Sequence, residues 1–182
     1  MSNFPISFRI AQTIGLSGSA WLSGNIVTYS MATVPAILHT VHHDGLPLSL
    51  AVKTWRNAYE LGKAQNPKIA AVTAASFLYC AWAVRAGTSL APLTPRNSPL
   101  LYGVAAVLTV GIVPWTLGVM MPTNNRLLAK ADSKGELSQQ SCAEVEPLLQ
   151  KWIKLNVVRG LLPFLGAISG VIAAAPWPLE MI

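Results

Sequence analysis

The sequence of 182 residues predicts an all-α fold: an integral membrane four-helix bundle, built as a single domain over residues 1–182. Three observations carry this prediction. Hydrophobic residues make up 52% of the chain and charged residues only 11%, whereas a water-soluble domain carries about 25% charged residues. The apolar residues gather into four runs, and a helix needs about 20 such residues to cross the hydrocarbon of a bilayer. The cations fall between those runs, where membrane proteins keep their cationic loops. That placement also accounts for the net charge of +6. Nucleic acid is excluded as a partner, because the chain has no aromatic-interleaved basic stripe and no RNA-binding signature.

The first span covers residues 10–38 and contains no charge. It is too long for the roughly 7–15 apolar residues of a secretory signal, so it reads as a retained helix. Its Gly15, Ser17, Gly18, Ser19, Ser23, Gly24 and Asn25 predict close helix packing in lipid. The second span, 69–84, is short, and its flanking Lys68 and Arg85 can reach the headgroups. The third, 99–121, holds Pro114, which predicts a kink. The fourth, 155–175, ends before Pro176-Trp177-Pro178 and carries Asn156 and Arg159 near its start. Trp21, Trp82, Trp115 and Trp177 read as interface or core aromatics. Cys80 reads as a small buried hydrophobe. No disulfide to Cys142 is expected.

Three connections remain: 39–68, 86–98 and 122–154. Asn124-Asn125 after Pro122 read as a turn that caps a helix end. Residues 141–154 look helical and run into the last span. Arg9, Arg85 and Arg96 share one side with both termini. Lys53, Arg56, Lys63, Lys68, Arg126, Lys130, Lys134, Lys151, Lys154 and Arg159 share the other. The bias of ten against three puts the first and third connections in the cytosol and both termini across the membrane. It also gathers the unusual polar residues at one mouth of the bundle.

Trp152, Asn156 and Arg159 are spaced i, i+4, i+7, which is one face of a helix. An arginine inside a span is costly unless it faces the bundle or water. Arg159 therefore either lines a pocket or snorkels to the headgroups. His39, His42, His43 and Asp44 admit three readings. They are polar residues at a helix end, a general base with a pKa near neutrality, or ligands of a metal. The chain has three histidines in all and no HExxH pattern. Ser-His-Asp order, phosphate-binding glycine loops, internal repeats and a helical proton relay are all absent, so a transporter is not supported.

Trp55-x-x-x-Tyr59, then Met121-Pro122-Thr123-Asn124-Asn125 at the end of the third span, then Trp152-x-x-x-Asn156-x-x-Arg159 give the chain a resemblance to the fungal anthrone oxygenases. These are small four-span membrane proteins, formerly a domain of unknown function. The likeness covers nearly the whole chain. It implies an oxygenase of polyketide pathways that converts an anthrone to an anthraquinone with O2 and needs no cofactor. In agreement, the sequence has no dinucleotide fingerprint and no haem-attachment motif. The chemistry requires a base, donors for an oxyanion and an apolar pocket. His42 or His43 is the expected base, with Arg159, Asn156 and Asn125 stabilising the oxyanion. Trp55, Tyr59 and Trp152 are expected to hold the flat substrate. No metal is assigned. The expected partners are a small aromatic polyketide, O2 and membrane lipid, and a homo-oligomer is left open. The expected location is the endomembrane, at the endoplasmic reticulum, as a multi-pass protein. Two alternatives are a non-catalytic membrane scaffold of a biosynthetic pathway and a histidine-metal oxygenase.

Overall fold

The computed structural model describes residues 4–133 and 137–175. Among these the protein is all-α, with no strand. Helix α1 (Ile6–Thr28) passes through a π-helical turn, Tyr29–Thr33, into α2 (Val34–Asp44). Gly45 ends α2 in the left-handed region with φ 69°, a conformation natural to glycine. Pro47 then accepts the first backbone bonds of α3 (Leu48–Ala83). After a 3-10 turn, Ala91–Leu93, come α4 (Ser98–Val110), the short α5 (Ile112–Trp115), a second π turn (Thr116–Met120) and α6 (Met121–Ala131). Helix α7 runs from Gln139 to Ala174. Two stretches, Ser98–Ala131 and Gln139–Ala174, are long and apolar enough to cross a membrane.

Several expectations are corrected. Residues 48–68 are helix and not part of a long connection, because α3 begins right after Pro47. Amphipathic residues such as Lys53, Arg56 and Lys63 lower the hydropathy of that stretch without breaking its helix. The third connection is shortened at its start, since α6 reaches Ala131, while α7 from Gln139 carries residues 141–154 into the last span as expected. Asn124 and Asn125 lie within α6 and form no turn. Pro122 occupies the start of that helix, where its missing N–H costs nothing. The irregularity expected at Pro114 is spread around it: the helix breaks at Gly111 and the π turn follows at Thr116. Trp177 lies outside the described residues.

The chain divides into two compact units, one of 1–23, 67–112 and 161–182, the other of 24–66 and 113–160. The first unit is built on small residues and internal hydroxyls. A Cβ added at Gly15 would stand 2.8 Å from the Phe77 ring, and one at Gly166 2.9 Å from Thr109 Oγ1. These glycines, with Gly18, admit close helix contact. Ser19 donates to the Pro163 carbonyl at 2.7 Å and lies 3.0 Å from the Thr109 hydroxyl. Ser98 donates to Ala173 O, and Gln12 to the Tyr102 hydroxyl. Gly15, Gly18, Ser19 and Ser23 thus pack inward as expected, whereas Ser17 and Gly24 do not. Cys80 is buried beside Phe77 and Tyr102. The outer faces are apolar: Ile6, Ile10 and Ile14 on α1, Val72 and Trp82 on α3, Leu100 and Val107 on α4, Phe164 and Ile168 on α7.

The second unit has an aromatic and aliphatic interior that includes Trp55, Tyr59, Met120, Leu127, Leu149 and Trp152. Its surface carries ion pairs. Arg56 donates to Asp132 at 2.7 Å, and Arg126 and Lys130 lie 3.2 and 3.0 Å from Glu144. The hydrogen bonds from Lys130 and then Arg126 hold the Glu144 carboxyl below the usual carboxylate range.

A buried donor array as candidate functional site

Two helical stripes meet inside the second unit. On α3 the stripe is Trp55, Tyr59, Gly62 and Asn66, and on α7 it is Trp152, Asn156 and Arg159. Each follows the i, i+3, i+4, i+7 spacing that shares one face. Their upper ends touch: the Trp55 and Trp152 rings meet edge to face at 5.8 Å. Tyr59 stacks on Trp55 at 5.2 Å.

The polar heads on these stripes are held by hydroxyls and carbonyls from the other helices. Trp152 Nε1 donates to Asn124 Oδ1 at 3.0 Å. Asn156 Nδ2 donates to Ile26 O at 2.8 Å and to Ser30 Oγ at 2.7 Å. Arg159 donates to Thr116 Oγ1 at 3.2 Å. Ser30 and Thr116 each belong to one of the two π turns, and such turns recur at functional sites. Gly160 lets α7 approach α1 here, because a Cβ would fall 2.6 Å from Val27.

Five buried polar atoms in this unit have no hydrogen-bond partner among the described residues: Trp55 Nε1, Asn66 Nδ2, Asn124 Nδ2, Arg159 Nε and Asn156 Oδ1. Buried polar groups are nearly always satisfied. Four of these five are donors. Arg159 makes no ion pair among the described residues. A buried guanidinium with no carboxylate paired to it among the described residues is suited to a ligand oxygen bearing negative charge.

Among the residues expected from sequence, the structure brings Trp55, Tyr59, Trp152, Asn156 and Arg159 into this array. It does not bring in Asn125, which is exposed on α6, while its neighbour Asn124 faces inward. The reason is helical phase, since successive residues differ by about 100°. His42 and His43 are exposed at the end of α2. His42 pairs with Glu146 at 3.1 Å, and Arg159 lies thirteen residues further along α7, about 20 Å at the helical rise. The two are too far apart to act on one atom. His43 stacks on His39 at 4.2 Å. No three His, Cys, Asp or Glu side chains group as metal ligands among the described residues. An open surface groove of about 510 Å3, lined by Leu48, Cys142, Glu146 and Gln150 among others, lies beside the histidines' end of α7.

Ser30, Asn66 and Thr116 are the members that sequence reasoning passed over. Asn66 was within reach, because it continues the Trp55–Tyr59 spacing. The two hydroxyls carry no sequence signal of their own.

Fold and site together define a small all-helical protein with a buried array of donors set among aromatic rings. Comparison with known proteins then fixes its family. The anthrone oxygenase family matches residues 55–169, a segment that contains the whole array except Ile26, Tyr29 and Ser30, and excludes the histidines. The anthrone oxygenase encC of Aspergillus fumigatus is 39% identical over 91% of this chain and 92% of its own length. The anthrone oxygenase nsrD of Aspergillus novofumigatus is 36% identical over 88% and 90%. The noranthrone monooxygenase of Aspergillus flavus is 33% identical over 86% and 69%. No solved structure matches. The chain belongs to the anthrone oxygenase family.

Proposed function

We propose that the protein is a membrane-bound oxygenase that converts an anthrone-type polyketide to the anthraquinone with O2, using its own side chains and no cofactor. The single observation that carries this reading is Arg159: a guanidinium whose buried Nε has no partner and which makes no ion pair among the described residues, with aromatic rings and orphan donors in the same unit. The relatives' names supply the substrate class.

The chemistry balances without another reactant. Loss of a methylene proton converts the anthrone to an aromatic phenolate. That anion delivers electrons to O2, the C–O bond forms, and the proton returns to give a hydroperoxide at the former methylene. Loss of water leaves the second carbonyl, so that anthrone and O2 become anthraquinone and water. Arg159 and the donors of Trp55 and Asn124 stabilise the phenolate oxygen, which lowers the cost of the first step. Trp55, Tyr59 and Trp152 present rings to the flat substrate. In this reading neither His42 nor His43 is the base, since both are exposed and remote from Arg159.

The membrane part of the proposal rests on the outward apolar faces that α1, α3, α4 and α7 all carry in the first unit, and on two helices of sufficient length and apolarity. We place the protein as a four-span chain of the endoplasmic reticulum, with both termini away from the cytosol, following the cation bias. A terminal tag open to protease only from the cytosolic side overturns that orientation.

The activity is tested by incubating purified protein with an anthrone under air and under argon. Quinone formed in air at a rate proportional to protein is expected. No rate above the protein-free control in air refutes the oxygenase reading.

A further inference from the structure

Asn66 is the member of the donor array that the proposed reaction leaves unused. It is 3% exposed. Its Oδ1 accepts from Asn25 Nδ2 at 3.3 Å, which directs its Nδ2 elsewhere, and that nitrogen has no partner. One turn earlier on the same face stands Gly62. A Cβ there would meet Asn66 Nδ2 at 3.5 Å and the Tyr29 ring at 3.7 Å, both ordinary contacts. Packing therefore does not demand glycine at this point, unlike at Gly160. Its effect is to leave a space bordered by the orphan amide and by Tyr29. The same short stretch of α3 holds Gly62, Asn66 and Pro67, which are among the poorer residues for a helix interior. Sequences depart from local preference in this way at functional positions.

Register ties this space to the donor array. The Trp55–Trp152 contact sets α3 against α7. Both helices run antiparallel to α1 here, since Tyr29 faces Gly62 while Asn25 reaches Asn66, and Val27 meets Gly160 while Ser30 reaches Asn156. Counting on from the tryptophans puts Gly62 level with Arg159, and Asn66 about 6 Å further along α3. Tyr29 borders this space as the neighbour of Gly62.

We infer that Asn66 is a specificity-determining residue, whose amide N–H donates to a phenolic hydroxyl oxygen carried by the substrate's outer ring, in the space over Gly62. This rests on the reading of the array as the site for a polycyclic aromatic. With Arg159 at the carbonyl oxygen, the reach to Asn66 selects a hydroxyl remote from that carbonyl and not one beside it. A bare ring at the same place would leave the amide unpaired, which is the kind of penalty that sites use for discrimination.

Binding of the unreactive quinones separates this claim from the oxygenase reading. Quenching of tryptophan fluorescence by 2-hydroxyanthraquinone and by unsubstituted anthraquinone is measured for wild type, Asn66→Leu and Gly62→Ala. Wild type is expected to prefer the hydroxylated quinone by roughly 10- to 100-fold, and Asn66→Leu to lose that preference. Gly62→Ala is expected to fold at least as well as wild type, because the methyl meets no clash and alanine favours the helix, yet to lose most of the preference by filling the space. Should Asn66→Leu fail to fold, Gly62→Ala decides. Equal binding of the two quinones by wild type, or an unchanged preference in the variants, overturns the assignment of Asn66. A preference that behaves as expected in a protein that oxidises no anthrone under air leaves the subsite standing and removes the oxygenase reading instead.

Discussion

The unit made of residues 1–23, 67–112 and 161–182 turns its hydroxyls inward and its isoleucines, valines and leucines outward, while the unit made of 24–66 and 113–160 pairs its charges on the surface around an aromatic interior. In the first, every inward polar group named above has found a partner: Ser19 with Pro163, Ser98 with Ala173, Gln12 with Tyr102. In the second, five buried polar atoms lack one. Helices α1, α3 and α7 contribute to both units, while α4 belongs to the first alone and α2 and α6 to the second, and the two interiors differ most in their side chains. Satisfied polar groups in an apolar setting fix helix to helix. Unsatisfied ones among rings are a standing cost that a ligand can relieve. Under the proposed function, the contrast separates the part of the molecule that fixes helix to helix from the part that receives the substrate.

The contrast breaks most visibly at Arg159. Arg159→Ala should lower turnover per folded protein by about 10²–10³, the usual loss for one oxyanion donor. Arg159→Lys should recover little of it, since the ammonium lacks the planar fork. Wild-type turnover from a monodisperse Arg159→Ala protein would take the array out of the reaction. In the first unit the effect should fall on stability alone. Gly166→Val places a side chain against Thr109 and the Ala105 carbonyl, and overpacking costs typically about 1–3 kcal/mol. Its melting temperature should drop, while the fraction that remains folded turns over at the wild-type rate.

Smaller effects sharpen the picture of the charged surface. The Glu144 carboxyl titrates lower in the folded protein than in the unfolded chain because Lys130 and Arg126 donate to it. Its stabilising contribution is therefore present above the ordinary glutamate pKa and is lost as pH falls through the depressed folded value. The melting temperature of Glu144→Gln should lose less between pH of about 5 and pH of about 3 than that of wild type. The change should be small, as for exposed pairs generally. Smallest of all is His42→Gln, which should leave turnover per folded protein unaltered. A loss approaching that of Arg159→Ala would restore the histidine as base.

Helical class and the Trp152–Asn156–Arg159 stripe were legible in the sequence because both are matters of periodicity, whereas Trp55 and Tyr59 stood out only as a motif of the resemblance. Trp152, Asn156 and Arg159 repeat at helical spacing, and that spacing survives whatever the helices do in space. The extent of the helices was not legible. Residues 48–68 carry Lys53, Arg56, Glu60, Lys63 and Lys68, so hydropathy falls there although the backbone ladder continues. A hydropathy reading finds the apolar part of a helix and mistakes the rest for loop. That Asn124 and not Asn125 faces inward was hidden for a related reason: neighbours in sequence differ by about 100°, and only the phase of α6 decides which is buried. Asn66 escaped because it sits just outside an apolar run, beside a proline that suggests a boundary where α3 in fact continues.

The two π turns also bear on how this chain tolerates changes of length. Each contains one residue more than a regular α ladder needs. Deleting a residue from Tyr29–Thr33 would let the helix close into an ordinary ladder with every backbone bond intact. Because the π turn takes up its extra residue within about one turn, the segment beyond it, residues 34–44, would keep its phase, and Val34, Ile37 and Leu38 would stay in the aromatic interior they help to form. A one-residue deletion here is thus mild for the backbone and for the side chains beyond it, whereas a deletion within the regular ladder of α1 would turn everything after it by about 100°. The same deletion in the loop at residues 86–90, where no helix transmits a rotation, should pass almost unnoticed.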